Sequence, residues 1–529
     1  MNFEKYGLTS TLMLTVFTTC FGSSFQIGYN LAILNQPAKN IEAFLKDTMP
    51  NNDPQQIYVI ATAIFVVAAA MGSFSCGWIA DGIGRRNGLL INHFFAITGG
   101  ILIGPCVVLK QPILLLIGRV VIGINCGITI GVASLYLTEV APRDLRGGIG
   151  ACHQLAVTIG IAFAYLITLS HFLNRESLWP IAAALGAVPA AISLILLPMC
   201  PESPRFLFLK KHKENEARNA FIKLNIQENV DTFLSELQKE NEFAKSQPAF
   251  KFQQLFVQKD LRVPIVIACL IQVMQQLSGI NAVISYSSKM LTMAKVPPDS
   301  LEYCVFGIGI FNVIVTIAAL PLLERAGRRT LLLWPSLILA ISLLILTLTV
   351  NLSEKISGKM QDVMAILSIV FIFVYIFGFA LGLGPVPGLI VSEIFRQGPR
   401  AAAYSLSQTI QWLSNLLVLF STPNLMDAIE GYTFLIFLVI VVACWIFFFL
   451  YMPETKNRTF DDIAEDLSHW HAVSFRSNKN TSNSNSNSNS NNNPNQNSDL
   501  IFTRNKNLSN SQSLFRVSRH RREDQVIYS

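Results

Sequence analysis

Twelve apolar stretches, each long enough to cross a bilayer, occupy most of this chain. A helix spans ~30 Å of hydrocarbon with about 20 apolar residues, and only helices or closed barrels satisfy their own backbone there. The stretches lie near residues 8–33, 57–80, 89–109, 112–136, 149–173, 179–198, 263–290, 303–323, 330–350, 362–388, 402–426 and 432–452. With 51% hydrophobic and 14% charged residues among 529, the chain is too apolar for an ordinary soluble fold. The expected class is an all-α membrane protein: twelve transmembrane helices in two pseudo-symmetric six-helix bundles. The first span has no small-residue cleavage site and is expected to stay as a signal anchor. Nine cysteines lie mostly inside spans without a Cys-x-x-Cys pair, and read as packing residues.

The loops repeat. Gly77-Trp78-Ile79-Ala80-Asp81-Gly82-Ile83-Gly84-Arg85-Arg86 follows the second span, and Pro321-Leu322-Leu323-Glu324-Arg325-Ala326-Gly327-Arg328-Arg329 follows the eighth. Pro201-Glu202-Ser203-Pro204-Arg205 after the sixth span is echoed by Pro453-Glu454-Thr455-Lys456-Asn457-Arg458 after the twelfth. Arginines beside a helix end are ordinary topology, but paired motifs in matching order are not coincidence. Glu139 and Glu393 close the fourth and tenth spans. A carboxylate is unfavourable at a helix C-terminus, so both need cationic partners, drawn from Arg85, Arg146, Arg328 and Arg400. The cluster, with Arg86, Glu324 and Arg329, is expected to lock the inner ends of the two bundles in one state and release them in another.

Basic residues gather in the even-numbered loops (Arg85, Arg86, Arg143, Arg146, Arg325, Arg328, Arg329, Arg396, Arg400). Positive residues mark the cytoplasmic face, which puts both termini inside, with the plasma membrane the expected location. The resulting division is 1–198 for the first bundle, 199–262 for a linker, 263–466 for the second bundle and 467–529 for a tail. Charged helical periodicity at Glu214–Asn225 and Asp231–Ala244 predicts short amphipathic helices in the linker. Asn478–Asn497 is almost pure Asn and Ser and predicts a disordered cytoplasmic tail.

These residues resemble the sugar transporters of the major facilitator superfamily, and within it the facilitative hexose (glucose-transporter) family. The resemblance covers about residues 8–466. It implies two halves rocking about a central site in alternating access.

Polar residues inside the membrane are costly, so their placement is informative. The seventh span carries Gln272, Gln275, Gln276, Ser278 and Asn281; Gln154 in the fifth and Asn312 in the eighth add further amides. A lone intramembrane amide is more often interhelical glue than a ligand, but a dense cluster on one span favours binding. Amides offer donors and acceptors without charge, which suits a neutral polyol. The resemblance assigns hexose binding to Gln154, Gln275, Gln276, Asn281 and Asn312, with Phe379 and Trp412 as lining aromatics. It assigns a bending gate to Pro385 and Pro387, and an outer gate to Tyr286. Departures from the glucose-preferring members are Gly388 for tryptophan, Ala380 for glutamate, Gln411 for asparagine and Ser285 for a tyrosine. A small residue at 388 widens the pocket, so the expectation is hexose, with fructose included. The family's outer-loop glycosylation sequon is absent, and Asn351-Leu352-Ser353 is its candidate substitute.

Asn30 stands where proton-coupled relatives carry a titratable aspartate, and no carboxylate lies near the middle of a span. His153 is the remaining titratable group, expected to be buried and hydrogen-bonded, and Arg119 is expected close to the first-span amide. Facilitated diffusion is therefore expected. Rivals are a non-transporting sugar sensor and a proton-coupled symporter. No enzyme constellation, cofactor, metal-ligand set or nucleic-acid module is present in the sequence. The expected partners are a hexose and the lipid bilayer, with a monomer sufficient for transport.

Overall fold

A computed structural model describes residues 9–142, 145–224, 229–246, 252–395, 397–456, 458, 462–463 and 466–467. The expected tail beyond residue 467, together with Arg143 and Arg396, lies outside the described residues, as does the side chain of Glu324. Helix follows helix throughout. Each expected span is found, with boundaries shifted by a few residues where polar ends extend the helix beyond the apolar run.

The second, third, fourth and fifth spans are Pro54–Gly82, Arg85–Ile103, Pro112–Val140 and Arg146–Ile167. The sixth covers Trp179–Met199 and the seventh Arg262–Met293. The eighth and ninth are Pro298–Arg325 and Arg328–Lys355, and the eleventh and twelfth Gln397–Ile429 and Thr433–Tyr451. Large apolar side chains such as Phe74, Trp78, Ile195 and Trp334 are more than 60% exposed, the surface a lipid-embedded bundle presents. Trp78 and Trp334 sit close to the paired Gly-Arg-Arg loops, where amphipathic rings mark the membrane interface.

Among the described residues four spans are broken, the sixth at Leu185–Gly186, between helices Trp179–Ala184 and Ala187–Leu196. The first runs Ser10–Thr19, a π-helical turn Cys20–Ser24, then Phe25–Ala32. The tenth runs Lys359–Gly378, a π-helical turn Phe379–Leu383, then Val386–Ile394. The seventh is interrupted at Gly279, whose φ of 92° is left-handed and disfavours any side chain. A Cβ there would also strike the Phe437 ring. Such interruptions survive in a membrane only where protein groups or a polar cavity take up the freed backbone.

The linker helices are Pro204–Leu209, Glu214–Leu224 and Val230–Ser246. They bury Phe206, Ala217, Ala220 and Leu224, and Phe221 stacks on Phe233 at 4.2 Å. Both amphipathic helices read from charge periodicity are present.

Candidate substrate site and gates

The two halves meet through the second span against the eleventh and the fifth against the eighth. Close approach is built in: a Cβ on Gly309 of the eighth span would meet Ala162 and Tyr165 of the fifth.

The candidate site is assembled around the break in the tenth span. Pro387 has no N–H, so the carbonyl four residues earlier, at Leu383, loses its helical partner. Gln275 Nε2 supplies one at 2.7 Å and also reaches the Gly384 carbonyl at 3.3 Å. The Gln275 Oε1 accepts from Gln411 Nε2 at 3.3 Å. A Cβ on Gly384 would lie 3.7 Å from the Phe379 ring, which places that ring beside the same break. Trp412, next to Gln411, is buried, and its Nε1 donates to Ser73 Oγ of the other half at 2.9 Å. Past Gly279, Asn281 Nδ2 donates to Gln276 Oε1 at 2.5 Å, and both residues are buried.

Hydrogen bonds therefore join Gln275, Gln411 and the tenth-span break, beside which Phe379 lies, with the Gln276–Asn281 pair on the same span as Gln275. Gln154 and Asn312 are not hydrogen-bonded to these residues. Asn312 is buried and Gln154 half-buried, and neither makes a side-chain hydrogen bond among the described residues. They keep full donor and acceptor capacity for a ligand. A Cβ on Gly388 would meet nothing within 4 Å, so the position is open.

The charges are paired in a pattern given twice. Arg85 Nη2 holds Glu139 at 2.9 Å, and Ser203 Oγ donates to the same carboxylate. Arg328 Nε holds Glu393 at 3.0 Å, and Thr455 Oγ1 donates to it at 2.5 Å. Arg85 Nη1 covers the Ala80 carbonyl at 3.0 Å, and Arg328 Nη1 the Leu323 carbonyl at 2.9 Å, both near helix ends. The carboxylate of Glu202 accepts the backbone N–H groups of Arg85 and Arg86 at 2.9 and 3.0 Å. Glu454 does the same for Arg328 and Arg329 at 2.7 and 3.2 Å. These acids sit on the positive N-terminal ends of the third and ninth spans. Arg86 Nη1 reaches the Cys200 carbonyl at 3.0 Å and Arg329 Nη2 the Phe449 carbonyl at 2.8 Å. Arg400 Nε donates to the Phe395 carbonyl at 3.1 Å, and Arg146 opens the fifth span.

The Arg85–Glu139 and Arg328–Glu393 pairs each join helices of one half. They hold the arginine-rich end of each bundle together as a unit. The capping role of Glu202 and Glu454 was not read from sequence, although their duplication was the signal.

The opposite end carries the bonds between halves. Tyr286, at a kink in the seventh span (φ −132°), shares a hydrogen bond of 2.8 Å with Thr62 and donates to the Leu419 carbonyl at 3.0 Å. Asn35 donates to the Ile284 carbonyl and to Ser287 at 2.8 and 2.6 Å, and Tyr165 donates to the same carbonyl at 2.6 Å. Apart from Trp412–Ser73, the side-chain bonds between halves described above lie at this end, which is therefore closed. Asn35, Thr62 and Ser73 escaped the sequence reading because isolated polar residues carry no pattern.

Arg119 is buried, donates to the Asn30 and Ala61 carbonyls at 2.9 and 3.3 Å, and lies 4.2 Å over the Phe65 ring. His153 is hydrogen-bonded to Ser24 at 2.8 Å, as expected. A second intramembrane histidine, His93, is fully buried against Ser193 at 3.0 Å. Asn351 carries the candidate glycosylation sequon. It lies inside the ninth helix, where it is half-buried and its Nδ2 donates to the Thr347 carbonyl at 2.6 Å. An apolar cavity of about 500 Å³, lined by Phe311, Ile369, Val370, Phe373, Val374 and Phe377, offers a sugar no hydrogen-bonding side chain.

The family described as "Sugar (and other) transporter" matches residues 15–467. Facilitated glucose transporter member 4 of solute carrier family 2 from Mus musculus is 36% identical over 472 residues, covering 87% of this chain and 91% of its own. Member 5 of that family from Equus caballus is 35% identical over 480 residues, covering 89% and 95%. Among solved structures, the partially occluded, inward-open xylose transporter XylE from E. coli superposes with a TM-score of 0.70 at 22% identity, covering 85% of this chain and all of that one. That likeness establishes the twelve-helix major facilitator fold.

Proposed function

This chain belongs to the sugar (and other) transporter family, and from that premise we propose that it carries a hexose such as D-glucose, with fructose also accepted, down its gradient by alternating access. The observation that supports this reading is the chemistry of the candidate site. Its hydrogen-bonding side chains are neutral amides beside aromatic rings, and carboxylates of the described spans lie at helix ends. Neutral amides match neutral hydroxyls, while rings receive the C–H face of a sugar. The arginine-rich end faces the cytoplasm of a plasma-membrane protein with both termini inside, and the closed end faces outward. The halves divide at the 199–262 linker.

A symporter would couple sugar to a titratable group. His153 and His93 are each held by a serine within one half. Hexose uptake into proteoliposomes under an imposed pH gradient separates the two readings. Equilibration without accumulation is expected; concentrative, uncoupler-sensitive uptake would overturn uniport.

Selectivity turns on Gly388. Because a side chain there meets open space, Gly388→Trp is expected to fold and to narrow the pocket. Relative uptake should shift roughly tenfold toward glucose over fructose, the scale on which filling a pocket discriminates substrates. An unchanged glucose-to-fructose ratio would place position 388 outside the pocket.

A further inference from the structure

At the closed end, away from Tyr286, one carboxylate joins the halves through an arrangement the gate motifs do not include. Glu302 stands in the second turn of the eighth span. Its Oε2 accepts the backbone N–H of Ser170 at 2.7 Å, and its Oε1 accepts the Ser170 hydroxyl at 2.6 Å. Ser170 belongs to the loop between the fifth and sixth spans, in the other half. The Glu302 carbonyl also accepts Gln36 Nε2 at 3.1 Å, and Gln36 Oε1 accepts the Thr168 hydroxyl at 2.8 Å. Both carboxylate oxygens are thus spent on one residue of the opposite bundle, and the grip is anchored to the end of the first span.

We propose that Glu302 is a positioning residue for transport: a latch on Ser170 that holds the outer ends of the fifth and eighth spans together and biases the carrier toward its outward-closed state. Charge-assisted, two-point bonds are stronger than neutral ones, and opening toward this face requires both to break. A latch of this kind does not touch sugar. It changes affinity only by changing how often the outward-facing form is populated, since apparent affinity scales with the competent fraction. Its loss must therefore act in opposite senses on the two faces. The proposal rests on the alternating-access reading.

The test uses the full-length chain in sealed proteoliposomes of known orientation. Glu302→Ala is expected to lower KM for hexose entering from the Glu302 face and to raise KM for exit from the arginine-rich face, each by about threefold to tenfold. Glu302→Gln, which keeps one acceptor, should fall between. Changes of the same sign on both faces, or none, would overturn the latch. If Glu302→Ala does not fold, the pair Ser170→Cys/Glu302→Cys is treated with a short bifunctional methanethiosulfonate. The expected result is loss of transport that reductant restores, absent from either single variant; a folded pair that transports normally once cross-linked would overturn the proposal. If the wild-type chain moves no hexose, the uniport reading fails. Distances between spin labels on the outer ends of the two halves then still report the latch, since Glu302→Ala should lengthen them.

Discussion

Arg85→Leu is expected to destabilise the protein by about 3–5 kcal/mol, the cost of stranding a buried carboxylate without its cation. The side chains of Arg85 and Glu139 are 8% and 10% exposed, so water cannot replace the guanidinium. Two further losses add to this. The Ala80 carbonyl gives up its donor, and Phe206 gives up a cation 5.0 Å from its ring centre. The contact to Asp81, at 3.6 Å with that acid half exposed, contributes little. Arg328→Leu removes the equivalent pair in the second half, but there the side chains are 15% and 25% exposed. Its cost should be visibly smaller. Thermal unfolding of the purified variants measures both, and equal losses would show that burial does not set the difference. Adding Glu139→Gln to Arg85→Leu should recover part of the stability, because the stranded charge goes with it. A double variant no better than the single would mean that the helix-end contacts, and not the ion pair, carry the effect.

The spans were legible because a bilayer imposes a length on any apolar helix, and no soluble fold needs twelve such runs. The duplicated arginines and acids were legible for the same reason, since charge is rare enough here to stand out. Their partners were not. Glu202 and Glu454 bind backbone N–H groups, and a sequence does not mark which helix end a side chain will face. Gln275 was read as a ligand from its place in a cluster of amides on one span and from the family resemblance, yet its amide fills the gap that Pro387 leaves at Leu383. That requires knowing that the seventh and tenth spans are neighbours. The helical setting of Asn351 was not legible either, because a three-residue sequon ignores the helix around it, and the ninth helix continues to Lys355. Glu302 and Ser170 gave no signal at all, being ordinary polar residues, one in a helix and one in a loop, until the fold joined them.

The distinction between Gln275 and Gln276 yields the sharpest expectation for the site. Gln275→Leu leaves the Leu383 carbonyl without its donor in a part-buried setting, where an unmade hydrogen bond costs about 1–3 kcal/mol. The loss falls on the tenth-span break, so it should appear as a lowered unfolding temperature and slowed turnover, with hexose affinity changed less. Gln276→Leu is the opposite case. Gln276 pairs only with Asn281 among the described residues, through Oε1, so its Nε2 remains available to a hydroxyl. Removing it should raise KM by about tenfold to a hundredfold, the equivalent of one or two hydrogen bonds, with a smaller effect on stability. Asn281→Ala should be non-additive with Gln276→Leu, because the two side chains orient each other. Wild-type affinity in Gln276→Leu, or a purely additive double variant, would reassign that pair to packing and leave Gln154 and Asn312 as the amides with capacity to hold the sugar.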